Sequence, residues 1–425
     1  MNDAPERTAE SAAALVAAVV DGDDGTAAAL LADGADPDAR DDDGRTVLHL
    51  AIDRFADRVA EALFDHGADL RLPDADGRGA LVRTVDSGSP DLLLALVRRD
   101  PTRLTDEERT ELLALARHWH EVGVEAELRR RTGASGPVER RRVRDQWTDC
   151  DEVSLGGLTV RDGHTAVLTE LETEFGVPAP FDELLRRAVE CADTSHLTWS
   201  AAAAVIADTR DGAGWEAAAA LRGHPDPLVR YFGVDVLRMT YVTGWDFLWS
   251  KGPNPWARRL LDVLLPWSDD EDDPEVLALV LYALAEDEDP RAVAALLRHL
   301  DHPEGRVRAE VARGLIRHDR PTEHLDVVLS LTRDADPLVR QHACYEVAAA
   351  ARTERRDDVV AVLAERLDDD RPTVLLAVAR SLALCRDARC VVARDRLPEE
   401  YRTSRYDDFL APVWHYEPAA PAPRA

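Results

Sequence analysis

Apolar positions in the C-terminal half of the chain repeat in register. The string Asp226-Pro227-Leu228-Val229-Arg230 returns 110 residues later as Asp336-Pro337-Leu338-Val339-Arg340. With Val229 as an anchor, equivalent positions fall at Thr198, Val276, Val307, Val339 and Val374, so that the six anchors are separated by 31, 47, 31, 32 and 35 residues. Small or apolar residues follow each anchor at +4, +5 and +8, from Ala202, Ala203 and Ile206 to Val378, Ala379 and Leu382. That spacing puts all three on one face of a helix. A period of this length built from paired helices predicts an α-solenoid, in which each unit buries its face only against its neighbours. Asp226-Pro227, Asp273-Pro274 and Asp336-Pro337 supply the helix starts, because the acid caps free N–H groups and proline in the first turn has none to satisfy.

A second repeat occupies the N-terminal part. Gly34-Ala35-Asp36 recurs as Gly67-Ala68-Asp69, and Asp43-Gly44-Arg45 as Asp76-Gly77-Arg78, both at a spacing of 33 residues. The stretch Gly44-Arg45-Thr46-Val47-Leu48-His49-Leu50-Ala51 resembles the ankyrin G-x-T-P-L-H-x-A core, with Val47 in place of proline. The resemblance implies a degenerate unit over 8–40, a well-formed unit over 42–72 and a third over 76–103 that lacks the T-P-L-H letters. It also implies that His49 is a structural imidazole bonded to Thr46 and to backbone rather than a catalytic one. In ankyrin proteins the turn tips and inner helices form the binding face, which makes Asp41, Asp43, Asp74 and Asp76 candidate partner-binding residues. Ordinary solvated turns are the competing reading. Apolar positions over 105–131 predict one or two capping helices.

Between the repeats, Gly133-Ala134-Ser135-Gly136-Pro137 reads as a break. The basic run Arg140, Arg141, Arg142 and Arg144 is read as a charged helix face paired with the protein's own carboxylates, in preference to a grip on nucleic acid. Val153 to Val160, interrupted by Gly156-Gly157, reads as a small hairpin or a loop. Amphipathic helices are predicted over 165–175 and 181–192, where they would cover the first face of the solenoid.

The units with a D-P start, an anchor valine, a following arginine in Arg230, Arg308 and Arg340, and a second apolar helix resemble HEAT or HEAT-like repeats. That resemblance implies an Asp/Arg ladder between successive units rather than a row of phosphate-binding arginines. Ankyrin and HEAT repeats together resemble repeat proteins of GC-rich bacteria, a type without an assigned activity. The expected fold is all-α: an ankyrin-repeat domain with capping helices over 1–131, a linker and junction helices over 132–192, a HEAT-like array over 193–397 and a tail over 398–425. Within that tail Phe409 and Trp414 are expected to pack on the last unit, and 418–425 to be loosely held.

Composition narrows the function. Asp and Glu outnumber Lys and Arg by 82 to 52, a net charge of -30 that disfavours nucleic acid and favours a basic protein partner or simple solubility. Lys251 is the sole lysine, a skew that points to a GC-rich coding sequence rather than to a function. Five scattered cysteines without a C-x-x-C suit a reducing cytosol. Ala12 to Val20 has no preceding basic region and is too short to span a bilayer, so a cytoplasmic protein without a membrane anchor is expected.

No P-loop, G-x-G-x-x-G, G-x-S-x-G or H-E-x-x-H pattern occurs, and no catalytic, cofactor-binding or metal-ligating residue is assigned. The leading reading is a non-catalytic protein-protein interaction scaffold, inhibitor or adaptor. The alternative is a HEAT-based enzyme acting on a small molecule or nucleic acid, of the lyase or DNA glycosylase type. The 47-residue step carries an aromatic stretch from Tyr241 to Trp256, expected as a loop because Gly244, Gly252, Pro253 and Pro255 oppose a continuous helix. Within it Trp245 and Trp249 are candidate partner anchors, whereas Trp256 and Trp267 are expected to cover neighbouring helices.

Overall fold

The structure is a computed structural model that describes residues 3–74, 76–145, 148–209, 212–248, 254–287, 289–316, 322–402 and 407–416, without the side chains of 3–9, 244–248 and 407–408. The chain divides into two compact units, Met1–Trp215 and Glu216–Ala425.

In the first unit three helix pairs follow one another: α1 (Asp3–Asp21) with α2 (Asp24–Ala32), α3 (Val47–Asp53) with α4 (Asp57–Asp65), and α5 (Ala80–Ser87) with α6 (Pro90–Leu93). Each of the first two pairs ends in a glycine at positive φ, Gly34 at 90° and Gly67 at 89°, a backbone region that side chains disfavour. The chain then turns through isolated β-bridges, Arg40 with Thr46 and Pro73 with Gly79, before the next inner helix begins. Thr46 caps α3 through the His49 N–H, and its hydroxyl lies 2.7 Å from His49 Nδ1. His49 Nε2 reaches the Arg78 carbonyl at 3.2 Å, which ties one unit to the next. Burial, with Arg83 nearby, holds this imidazole below its usual pKa, so it is neutral and structural, as the ankyrin resemblance implies.

Two helices cap this stack, α7 (Asp106–Val122) and α8 (Val124–Thr132), the first opened by a reciprocal capping box of Thr105 and Glu108. A three-stranded antiparallel sheet follows: β1 (Glu139–Asp145), β2 (Thr148–Leu155) and β3 (Leu158–Arg161). The basic run expected on a helix is therefore a strand. Its register explains why: Arg141 lies opposite Glu152, Arg142 opposite Asp151 and Arg144 opposite Asp149, a cross-strand charge pattern that a helix would not make. The pairing with the protein's own acids holds, and Gly156-Gly157 form the β2–β3 hairpin turn at positive φ.

Helices α9 (His164–Glu174), α10 (Phe181–Cys191) and α11 (Leu197–Thr209) pack together, α9 also packs on α7 and α5, and α12 (Ala213–Ala220) follows α11. A buried polar core locks sheet and repeats together. Arg161 donates to Asp145 at 2.6 Å, Asp145 accepts from Ser89 at 2.6 Å, and the Arg161 guanidinium lies 4.3 Å from the Phe55 ring. Asp86 of α5 accepts from Trp119 Nε1 at 2.8 Å and from Arg131 at 2.7 Å, while Trp119 stacks on His164 at 4.0 Å. Gly88 has no room for a side chain, since a methyl there would collide with the Arg161 carbonyl oxygen and the His164 ring.

In the second unit the helices that begin at D-P or equivalent starts form one layer: α13 (Pro227–Leu248), α15 (Pro274–Ala285), α17 (Gly305–Leu315), α19 (Pro337–Glu346) and α21 (Pro372–Leu384), each packed on the next. The alternating helices α14 (Ala257–Asp270), α16 (Pro290–Arg298), α18 (Leu325–Leu331), α20 (Arg356–Glu365) and α22 (Arg389–Asp395) lie against them. Asp273 caps α15 and Asp336 caps α19 through side-chain bonds to first-turn N–H groups, as their position before proline predicts. All the +4, +5 and +8 positions of these five helices are buried. One expectation fails here: α13 continues through Gly244 to Leu248, so the first half of the aromatic stretch is helix, not loop. Trp267 is fully buried, as expected. The last helix, α23 (Asp407–Trp414), buries Leu410 and Val413 and packs on α21 and α22.

Candidate partner-binding site

The four acids of the ankyrin tips have two different surroundings. Asp41 accepts from the N–H groups of Asp43 and Arg45 and from Arg45 Nε, and 33 residues later Asp74 accepts from the N–H groups of Asp76 and Arg78 and from Arg83. Burial works against both carboxylates, yet these donors hold each pKa below the usual range. Asp41 and Asp74 are thus committed to shaping the turns, whereas Asp43 and Asp76 face solvent. Trp249 lies outside the described residues, and although Trp245 belongs to α13 its side chain does too.

The arginines that follow the anchor valines are committed in the same way. Arg230 grips Glu271 through two bonds of 3.0 and 2.7 Å, Arg308 grips Asp334 at 2.9 and 2.7 Å, and Arg340 grips Asp369 at 2.8 and 3.0 Å. In each case the remaining nitrogen donates to two carbonyls at the helix start, such as Asp334 and Ala335 for Arg340. This is the expected ladder between successive units, and it leaves no row of free guanidinium groups for phosphate.

A different row sits two positions beyond the +4 core residue. At +6 from the anchors, α13, α15, α17, α19 and α21 carry Asp235, Tyr282, Arg313, Tyr345 and Arg380. Arg313 lies 4.1 Å from the Tyr282 ring centre, with Arg238 at 5.2 Å. Three carboxylates face the same place. Glu286 stands 3.7 Å from Arg238, Glu310 stands 4.0 Å from Arg313, and Glu346 interacts with both Arg313 and Glu310. One oxygen each of Glu286 and Glu310 is buried without a hydrogen-bond donor. Burial pushes Glu310 up to about 7 against the pull of Arg313, and Glu346 up to about 7, with Glu310 adding to the rise. Burial also lowers His342, helped by Arg313. A face of aromatic rings, cations and under-solvated acids is suited to side-chain recognition.

Sequence reasoning missed this row because no apolar periodicity marks it. Alignment of the units on their anchors does, since +6 is the position where Tyr and Arg alternate between buried neighbours. The open cleft of about 420 Å³ lined by Arg222, His224, Arg230 and Glu271 offers less, because Arg222 pairs with Asp270 and Arg230 with Glu271. Among the described residues no group of three or more His, Cys, Asp or Glu could hold a metal ion. No described helix is long and apolar enough to cross a membrane.

Comparison with known proteins gives the following. A family model of ankyrin repeats in three copies matches residues 15–106, and one of HEAT repeats matches residues 259–343. No curated protein matches the sequence. Among solved structures, a Kap121p mutant is similar with a TM-score of 0.33 and 14% identity, over 94% of this chain and 42% of that one. The karyopherin Kap121p bound to the SUMO protease Ulp1p is similar with a TM-score of 0.31 and 15% identity, over 84% of this chain and 37% of that one. The chain thus spans about two fifths of the length of those proteins, and the likeness is too slight to bear on function. Residues 15–106 are ankyrin repeats and residues 259–343 are HEAT repeats, the two α-helical repeat types on one chain.

Proposed function

We propose that the chain is a non-catalytic protein-binding scaffold of the adaptor or inhibitor kind, which holds its partner on the first-helix layer of residues 216–425. The observation that carries this reading is the +6 row, where Tyr282 and Arg313 stand on successive helices near Glu286 and Glu310, each of which has one buried oxygen without a donor. In the first unit, by contrast, helix α5 is engaged by α7, α9 and β3 of the same chain. A cytosolic setting is part of the proposal, in keeping with five free cysteines, four of them buried. The partner is expected to be basic, because the chain carries a net charge of -30.

Capture with the tagged full chain tests the reading. A protein retained in stoichiometric amount by the wild type, and lost with Tyr282→Ala/Arg313→Ala, is the expected result. Retention of a nucleic acid or of a small molecule that the chain converts, with no protein, would overturn it in favour of an enzyme.

A further inference from the structure

The C-terminal helix shows how this face takes a ring. Phe409 of α23 stacks on Tyr345 with ring centres 5.6 Å apart and planes inclined by 22°. The Arg380 guanidinium lies 4.9 Å from Phe409 and 5.5 Å from Tyr345, and its Nη1 donates to the Phe409 carbonyl at 2.7 Å. Tyr345 and Arg380 both occupy +6, on successive helices. Two units earlier, +6 again carries a tyrosine followed by an arginine, Tyr282 and Arg313. There the Arg313 guanidinium lies 4.1 Å and that of Arg238 5.2 Å from the tyrosine ring, but among the described residues no third ring covers the Tyr282/Arg313 pair and Arg313 donates no hydrogen bond. The Arg313 side chain is 42% exposed.

We propose that the Tyr282/Arg313 site receives an aromatic side chain carried on a basic segment of the partner protein. The proposal deepens the scaffold reading and rests on it. The ring follows from the occupied copy of the site at Tyr345/Arg380. The basic character follows from the surroundings: Glu286 and Glu310 each bring a buried oxygen without a donor to the pair, Glu346 lies beside them, and a neighbouring cation would favour their ionised forms. A lysine or arginine next to the ring would donate to the buried oxygens of Glu286 and Glu310 that have no donor. The chain's own α23 could not serve unchanged, because Asp407 and Asp408 directly precede its phenylalanine.

The test uses three synthetic peptides spanning residues 407–416, each with Trp414→Ala, titrated calorimetrically into the full chain. One keeps both aspartates, one carries Asp407→Lys and Asp408→Lys, and the third adds Phe409→Ala to the lysine peptide. The lysine peptide is expected to bind at least about tenfold more tightly than the other two, and to lose about tenfold with Tyr282→Ala/Arg313→Ala, a change of roughly 1.4 kcal/mol. Glu310→Gln/Glu346→Gln, which keeps the ring site, should shrink the preference for lysine over aspartate. Equal binding to wild type and the ring-site variant, no saturable binding below about 1 mM, or a charge preference untouched by the glutamine variant would overturn the proposal. Self-association of the chain that the lysine peptide fails to compete would assign the site to a second copy and overturn it likewise. Any of these failures leaves the scaffold reading to the capture experiment, which reads a different outcome.

Discussion

Single residues in this chain divide into those committed to the repeats and those left over. His49, Asp41 and Asp74 belong to the first kind. The ankyrin resemblance made His49 legible in advance, since it implies a ring beside Thr46, and the 2.7 Å contact bears that out. The difference between Asp41 and Asp43 was not legible, because it depends on which carboxylate meets the N–H groups of the turn, a matter of backbone path rather than composition. Glu310 belongs to the second kind and has a measurable signature. Its folded-state pKa of about 7 lies above the ordinary value of 4.5, so the native state binds the extra proton and stability falls as pH rises from about 4.5 to 7. Glu310→Gln removes that loss. Chemical denaturation at pH 4 and pH 8 should show the variant gaining on the wild type at pH 8 by up to roughly 3 kcal/mol, and little at pH 4. An equal difference at both pH values would mean that Glu310 ionises freely in the fold.

Elements were legible in proportion to their periodicity. The five first-layer helices of the second unit stand where their anchor valines put them, and the ladder of Arg230, Arg308 and Arg340 follows from an arginine after the anchor in three of the five units meeting an acid before the next. Strand β1 was misread because a run of arginines has no apolar period, so helix and strand look alike until the acids of β2 supply the opposing register. The extension of α13 through Gly244 was missed for a related reason: glycine lowers helix propensity by only about 1 kcal/mol, which packing overrides. The ladder makes a quantitative claim. Arg340 holds Asp369 with its side chain only 12% exposed and the acid 4%, so Arg340→Ala strands a nearly buried carboxylate and should cost about 3 kcal/mol in denaturant unfolding. Arg340→Lys should recover only part of this, since an ammonium cannot make the paired bonds and also reach the Asp334 and Ala335 carbonyls. A loss below about 0.5 kcal/mol for the alanine variant would mark the rung as an ordinary surface pair.

For the molecule as a whole, repeats made the fold readable and the same repeats hid the site. Buried +4, +5 and +8 positions identify a unit, but recognition falls to +6, where each unit is free to differ. Tyr282, Arg313, Tyr345 and Arg380 emerge only when successive helices lie side by side. Of the tryptophans in and after the 47-residue step, Trp267 is core as expected, while Trp249 and the Trp245 side chain lie outside the described residues. The account therefore stands on the claim that a partner protein covers the face of α15, α17 and α19. Hydroxyl-radical footprinting of the full chain, alone and with its captured partner, tests this most directly. Protection of Tyr282 and His342 in the complex, with Trp119 and Trp199 unchanged because they are buried in both states, is the predicted result. Unaltered labelling of Tyr282 and His342 with a stoichiometric partner bound would contradict it.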